Sequence, residues 1–226
     1  PSSKGLYKRA IVESGGGWFP PSSLAAHEAQ GVKEATALGL KDPTAEQLRA
    51  VPADTLVATM NESFGPFVDG RLMTETATQA FAAGRAADVP LIIGSNSGED
   101  SLMGPWRPEM AKLIPPAARA AYPEEAAAGD ETLARAIFTD RFMGAPARWI
   151  AARASGGQPA WLYHFSYVGG RFRPMLTTAF HAAEIQYVFE YWGRRTPMSV
   201  VTDEDRAMAT LMHSCWVAFA KTGRPA

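Results

Sequence analysis

One apolar run near the middle of the chain constrains the fold most. Residues 89–93 read Val-Pro-Leu-Ile-Ile and lead into a polar, glycine-containing segment, residues 94–100. A short run of branched apolar residues between helical segments is typical of a parallel strand that is buried on both faces. The run therefore predicts an α/β protein with a mostly parallel central sheet flanked by helices.

Two other segments are predicted as strands of the same sheet. Residues 6–13 form a β-biased run that ends at three consecutive glycines, and residues 158–167 form a third run rich in aromatic residues. The segments between them show helical periodicity and capping residues, with Ser22 or Ser23 and Thr202 as N-caps. The predicted helices cover residues 22–38, 74–83, 130–154 with a break near Gly144, and 202–221.

Composition excludes several classes of function. Lys plus Arg total 22 and Asp plus Glu total 23, for a formal net charge of -1. Because the sequence has no basic stripe, nucleic acid is not favoured as a partner. The sequence has no run of about 18 apolar residues, so no membrane span is predicted. The single cysteine, Cys215, allows no intrachain disulfide, which slightly favours a cytoplasmic location without excluding export. Because the chain opens on Pro1 and passes at once into a strand pattern, we expect it to be a piece of a longer polypeptide.

An acid and a histidine follow two of the predicted strands. Glu99 lies in the loop after residues 89–93, and His181 ends the irregular segment that follows the third strand. Such an acid can fix the tautomer of an imidazole that takes a proton from a serine hydroxyl. A lone histidine is more often structural than catalytic, and Asn96, Ser97 and Asp100 are also typical turn-capping residues. The spacing alone therefore leaves both interpretations open.

Ser14 is a weak candidate for the nucleophile. The segment Val12-Glu13-Ser14-Gly15-Gly16 partly matches G-x-S-x-G, which places a serine on a strained strand-to-helix turn. Val12 stands where that motif has its first glycine, and no helical pattern follows. We therefore interpret Ser14 as a hydrogen-bonding residue behind the site rather than as the nucleophile.

Several segments, in order along the chain, resemble the C-terminal half of the type B carboxylesterases, a family that includes cholinesterases, bacterial para-nitrobenzyl esterases and related lipases. Residues 1–15 resemble the family's S-P-x-x-x-G-L-F-x-R-A-I-x-x-S-G, and residues 89–99 its V-P-x-x-x-G-x-N-x-D-E-G. Residues 181–189 resemble H-G-x-E-I-x-x-V-F. Shorter matches are found at residues 67–70 and 216–223. The resemblance covers essentially the whole chain and suggests a bacterial member similar to the para-nitrobenzyl esterases.

The resemblance implies a fold and an activity. The chain would be the C-terminal portion, residues 1–226, of one α/β-hydrolase domain with a helical insertion around residues 105–155, incomplete without the N-terminal half of the same protein. It would belong to a carboxylic ester hydrolase with Glu99 as the triad acid and His181 as the base. The nucleophilic serine and the oxyanion hole would lie upstream of Pro1. Gly98, Asp100 and Ala182 depart from the family pattern, and Asp100 is a minority candidate for the acid.

The resemblance also suggests residues around the reacting groups. Six apolar residues could line a gorge for the small-molecule ester, although core packing is an equal alternative for each of them: Trp18, Phe19, Phe64, Met103, Trp106 and Phe172. Glu184, one helical turn after His181, is predicted to form a structural salt bridge or a helix hydrogen bond rather than to take part in catalysis. No cluster with metal-ligand spacing is present in the sequence, and the resemblance implies no cofactor.

Two other functions remain open from the sequence. Some relatives of the type B carboxylesterases are catalytically inactive and serve as adhesion or binding modules, and the residue at the missing nucleophile position would distinguish this alternative. An amidase or a lactonase on the same scaffold is the third possibility, which substrate assays would separate.

Overall fold

A three-stranded parallel sheet forms the centre of the chain. The structure, a computed structural model, describes residues 3–15, 22–59, 65–154, 156–194 and 196–225. The strands are β1 (Ala10–Glu13), β2 (Leu91–Asn96) and β3 (Ala160–Phe165), and they lie in the order β1-β2-β3. Both pairs are parallel, with Ala10 opposite Leu91 and Leu91 opposite Ala160.

The sheet confirms the α/β fold predicted from the sequence. Every residue of β2 is buried, as its run of branched apolar side chains indicated. β1 is shorter than the predicted run, because residues 6–9 lie outside the strand and Leu6 is 80 % exposed. β3 is likewise trimmed by two residues at each end relative to the prediction.

Ten α-helices accompany the strands in the described part of the chain. In order they are α1 (Leu24–Ala37), α2 (Ala45–Arg49), α3 (Ala53–Thr59), α4 (Ala77–Ala82), α5 (Pro116–Ala121), α6 (Pro123–Ala128), α7 (Asp130–Thr139), α8 (Ala145–Ala154), α9 (Ile185–Val188) and α10 (Asp203–Thr222). A π-helical turn, Asp140–Gly144, joins α7 to α8 where the sequence predicted a break. Short 3₁₀ turns cover Glu99–Leu102, Pro108–Leu113 and Met198–Val200.

Capping side chains fix the ends of the two longest helices. Ser23 accepts a hydrogen bond from the Ala26 amide at the start of α1, and Thr202 forms a reciprocal capping box with Asp205 at the start of α10. Gly223 ends α10 in the left-handed conformation (φ 83°), which a residue with a Cβ adopts only at a cost. These boundaries agree with the sequence-based predictions.

Two apolar cores cover the two faces of the sheet. On one face, Leu91 and Ile93 of β2 pack against Ala147, Ile150 and Ala151 of α8. The second core includes Phe165 at the end of β3 together with residues of α9 and α10. Its buried members are Phe165, Ala179, Ala183, Tyr187, Val188, Ala209 and Met212. The segment that carries His181 is therefore held by the core under α10.

The described residues form two compact units. One combines the start of the chain with Phe81 and the residues after it, and contains the sheet, Glu99 and His181. The other comprises the intervening residues up to Ala80 and contains α1, α2 and α3. Residues 105–155, predicted as a helical insertion, contain the Pro108–Leu113 turn and helices α5 to α8, and their assignment as an insertion stays a prediction.

Candidate active site

Glu99 is placed by the end of the central strand. β2 ends at Asn96, two residues form a turn, and Glu99 opens the 3₁₀ turn Glu99–Leu102. The Glu99 side chain is fully buried, with 0 % exposure. Ligands of open α/β sheets bind beyond the carboxyl ends of the strands, and Glu99 lies at that edge.

The segment before His181 is fastened directly to the turn after β2. The Gly98 amide donates to the Ala179 carbonyl at 2.8 Å, and the Ala179 amide donates to Ser97 Oγ at 2.9 Å. A Cβ at Gly98 would lie 2.5 Å from Thr178 Oγ1 and 2.9 Å from the Ala179 carbonyl oxygen, so this approach requires glycine. The family's aspartate at this position is therefore excluded by the packing around Gly98.

The two predicted site residues contact each other. His181 Nδ1 lies 2.6 Å from Glu99 Oε2, and the His181 amide donates to Ser101 Oγ at 2.9 Å. An ionised carboxylate only accepts hydrogen bonds, so opposite an ionised Glu99 the Nδ1 atom is the donor, and in a neutral ring Nε2 is then the acceptor. Within the described residues, Nε2 has no hydrogen-bond partner, and the side chain is 33 % exposed. The ring can therefore take a proton from a group that approaches from outside the described residues.

The other Glu99 oxygen is held by two donors. Oε1 accepts from the Asn96 amide at 2.8 Å and from Ser14 Oγ at 2.8 Å. Ser14 follows β1 in the left-handed backbone conformation (φ 55°), which is uncommon for a residue other than glycine. Its hydroxyl thus points at the acid.

Asn96 links Glu99 to the segment that carries His181. Its side-chain amide donates to the Phe180 carbonyl at 2.9 Å and to the carboxylate of Glu184, and all three polar side chains of this network are buried. Glu184 is thus bonded to Asn96 on the central strand, a contact that is neither a salt bridge nor a hydrogen bond within its own helix. The sequence marked Asn96 only as a possible turn cap, because the partner lies 88 residues away.

Several acidic side chains are buried or half-buried near Glu99 and His181. Burial raises the pKa of Glu13, while the hydrogen bond from Trp216 Nε1, at 2.6 Å, acts against it, and the nearby charge of Glu184 raises it further. Burial also raises the pKa of Tyr163, and the charges of Glu184, Glu13 and Glu99 add to the increase. Both shifts follow from taking these groups out of water beside like charges.

Asp100 faces away from His181. Its carboxylate lies 3.3 Å from Arg135 Nη1, and its amide donates to Thr139 Oγ1 at 3.1 Å. Arg135 in turn holds Glu131 one helical turn earlier on α7, at 2.7 Å. The structure therefore brings His181 to Glu99 rather than to Asp100.

Three of the six predicted gorge residues lie among the described residues. Trp18, Phe19 and Phe64 lie outside the described residues. Met103 and Trp106 are half-buried in the segment after the Glu99 turn. Phe172 packs edge-on against Phe180, directly before His181, with ring centroids 5.1 Å apart. Their contact with a substrate stays a prediction.

None of the helices among the described residues is long and apolar enough to cross a membrane. The described residues also contain no group of three or more His, Cys, Asp or Glu side chains arranged to hold a metal ion.

A parallel sheet whose loops bring a buried acid onto a histidine, in that order along the chain, has the arrangement of the acid and histidine of an α/β-hydrolase. The chain belongs to one family of this class, since the model of the carboxylesterase family matches residues 1–115 and 111–226. This finding confirms the resemblance derived from the sequence motifs.

The curated relatives and solved structures agree with this assignment. The chain is 26 % identical over 255 residues to the para-nitrobenzyl esterase of Bacillus subtilis (strain 168), with all of this chain and 50 % of that protein covered. It is 27 % identical over 252 residues to the fumonisin B1 esterase of Sphingopyxis macrogoltabida, with all of this chain and 46 % of that protein covered.

Among solved structures, a carboxylesterase of Geobacillus stearothermophilus matches with a TM-score of 0.80 and 26 % identity, and a PNB esterase with 0.76 and 25 %. In both cases all of this chain and 51 % of the matched chain are covered. The chain therefore spans about half the length of the relatives that it matches.

Ala182, directly after His181, offers a test of the local backbone. It adopts the left-handed conformation (φ 66°), which costs an L-residue roughly 1–2 kcal/mol. Ala182→Gly removes that strain but adds freedom to the unfolded chain, so we expect the free energy of unfolding to rise by about 0.5–1 kcal/mol. Urea denaturation of the complete protein measures the change.

The matched control for this prediction is Ala183→Gly. Ala183 is buried and lacks a positive φ, so the same chemical change there is expected to lower the free energy of unfolding. Equal destabilisation by both variants would contradict the strained conformation of Ala182.

Proposed function

We propose that this chain is the acid–base half of a serine carboxylesterase. The observation that carries the proposal is the 2.6 Å contact between the His181 ring and a fully buried Glu99, with Nε2 unengaged among the described residues. A fixed tautomer with an open Nε2 is what a general base needs in order to activate a hydroxyl nucleophile. Membership of the carboxylesterase family supports an ester as the substrate.

The proposed reaction proceeds through an acyl-enzyme. A serine hydroxyl attacks the ester carbonyl carbon while His181 Nε2 takes the hydroxyl proton, forming a C–O bond and an oxyanion. Collapse of the oxyanion breaks the bond to the alcohol, and His181 returns the proton to the leaving oxygen. Water then repeats both steps on the acyl-enzyme and releases the acid. Glu99 stays ionised throughout and stabilises the imidazolium.

The nucleophile is proposed to lie outside these 226 residues. The only serine hydroxyl that donates to the Glu99–His181 pair within the described residues is that of Ser14, and it donates to the carboxylate rather than to the ring. The isolated chain would then lack the attacking group and the donors that stabilise the oxyanion. Because these parts act as a unit, the chain alone is proposed to be inactive.

The N-terminal half of the same protein is the proposed partner. Within the described residues, β1 and β3 each pair on one side only, and Ile11 of β1 is 37 % exposed. Open strand edges are usually paired or covered in native proteins. The relatives are about twice as long as this chain, so a further part of the polypeptide is available to extend the sheet.

The proposed substrate is a small carboxylic ester. The names of the relatives describe them as esterases for para-nitrobenzyl compounds and for fumonisin B1. The six predicted gorge residues are proposed to contact the acyl or alcohol group of the substrate here. The alternative, an inactive binding module, is less well supported because both Glu99 and His181 are present and paired.

Mass spectrometry of the trapped acyl-enzyme tests this function. The complete protein is mixed with a para-nitrophenyl ester, quenched in acid and digested. We expect the acyl group on a serine peptide from outside residues 1–226. An acyl group on the Ser14 peptide would overturn the proposed nucleophile. The absence of both an acyl-enzyme and para-nitrophenol release would overturn the esterase.

A further inference from the structure

Asp205 has more hydrogen bonds than a helix cap requires. It lies in the first turn of α10, is 2 % exposed, and its Oδ2 accepts from the Thr202 amide and from Thr202 Oγ1, both at 2.9 Å. These two bonds, with the reciprocal bond from the Asp205 amide to Thr202 Oγ1, complete the capping box. A cap of this kind works at an exposed helix end and does not require burial of the carboxylate.

The second oxygen of Asp205 serves a different part of the chain. Oδ1 accepts from the Tyr167 hydroxyl at 2.9 Å, from the Gly170 amide at 3.1 Å and from the Tyr187 hydroxyl at 3.3 Å. Burial by itself raises the pKa of Asp205, but the bonds from Thr202, Gly170 and Tyr167 outweigh it and leave the pKa below its ordinary value. Asp205 is thus a buried anion held by neutral donors.

The three Oδ1 donors stand on both sides of His181. Tyr167 and Gly170 follow β3 and precede the histidine, whereas Tyr187 lies on α9, six residues after it. The approach is close, since a Cβ at Gly169 would lie 2.6 Å from the Tyr187 hydroxyl and one at Gly170 would lie 2.7 Å from Thr202 Cγ2. The two tyrosine rings also meet edge to face, with centroids 5.4 Å apart. One carboxylate therefore joins both arms of the histidine-bearing loop.

That loop contains a backbone conformation that needs support. Ala182 has φ 66°, and such conformations persist only where the surrounding structure enforces them. The His181 amide is held by Ser101 before this point, and Tyr187 is held by Asp205 after it. These two attachments flank His181, whose ring contacts Glu99 at 2.6 Å.

We propose that Asp205 is a positioning residue for the base, acting through Tyr167, Gly170 and Tyr187 to hold His181 against Glu99. The inference rests on the proposed function, because it assigns Asp205 a part in the same esterase reaction. Asp205 does not touch His181, so its effect passes through the loop. Misplacing a catalytic group by about 1 Å can lower the rate by about 100-fold.

The test compares three variants of the complete protein. Asp205→Asn replaces one acceptor oxygen with an NH₂ group, which cannot accept the hydrogen bonds that Thr202 or Tyr167 donates. We expect kcat for a para-nitrophenyl ester to fall about 10- to 100-fold, with KM within about threefold. Asp205→Glu keeps the carboxylate and is expected to recover most of kcat. Asp203→Asn makes the same chemical change at the exposed acid two residues earlier, which among the described residues pairs only with Arg206 on α10; it is the matched control and should leave kcat within about twofold.

A spectroscopic measurement separates positioning from stability. The proton between His181 Nδ1 and Glu99 Oε2 is expected to give a far-downfield NMR signal in the unaltered protein, because charge-assisted bonds of this length are strong. In folded Asp205→Asn the signal should move upfield or broaden. An unchanged signal and kcat, with only a lower unfolding midpoint, would overturn the proposal.

Two further readouts complete the test. If Asp205→Asn does not fold, Tyr187→Phe removes one donor alone, and we expect it to shift the same signal and lower kcat by about threefold; no change in either would overturn the proposal. If the unaltered protein hydrolyses no ester, the proposed function fails by itself. The NMR comparison then still tests whether Asp205 positions His181.

Discussion

Replacing His181 with alanine in the complete protein is expected to lower kcat for a para-nitrophenyl ester by about 10⁵- to 10⁶-fold. The variant keeps the buried Glu99 and its bonds from Ser14 and Asn96 but removes the group that takes and returns the proton. The nucleophile then attacks as a neutral hydroxyl. Because base and nucleophile act as a unit, loss of one forfeits most of the benefit of the other. Steady-state kinetics at pH 8 measures the loss.

His164→Ala is the matched control for this change. His164 lies on β3 with an exposed side chain, and it differs from His181 in having no carboxylate partner among the described residues. We expect this variant to keep kcat within about threefold. Turnover by His181→Ala within a few fold of the unaltered protein would refute the assignment of the base.

Glu99→Gln is expected to lower kcat by about 10⁴-fold, which corresponds to about 5 kcal/mol in the barrier. The Gln amide oxygen can still accept from the Asn96 amide and Ser14, so its NH₂ group faces His181 Nδ1. Nδ1 must then accept a hydrogen bond, which moves the ring proton to Nε2. A ring with a proton on Nε2 cannot take one from serine. KM should change little, because the Glu99 side chain is fully buried and bonded to protein groups.

Asp100→Asn tests the competing acid with the same chemical change. Asp100 pairs with Arg135 on α7, so we expect its loss to leave kcat within about threefold. If Asp100→Asn were the variant with the large defect and Glu99→Gln were nearly normal, the acid would be Asp100 instead.

The sheet could be predicted because its signals are local. A run of branched apolar residues is enough to indicate that β2 is buried on both faces, and the structure confirms it. The prediction was wrong for residues 6–9, where a β-biased composition continues beyond the strand. Whether such residues join a sheet depends on the partners they pair with, and composition does not specify those partners.

The supporting contacts of the candidate site could not be predicted. The positions of Glu99 and His181 follow from the order of motifs along the chain, but the bonds of Asn96 to Glu184 and of Asp205 to Tyr167 join residues 88 and 38 apart. Sequence patterns report neighbours within a few positions. Ala182 shows the same limit, since its left-handed backbone is imposed by the contacts on either side of it.

A double variant decides whether Glu99 acts on the reaction only through His181. In the complete protein, kcat is measured for His181→Ala and for His181→Ala combined with Glu99→Gln. Because an orienting acid has no role without its base, we predict that the two values agree within about threefold. A further loss of about 10³-fold or more on adding Glu99→Gln would show that Glu99 acts independently of His181 and would contradict the assignment.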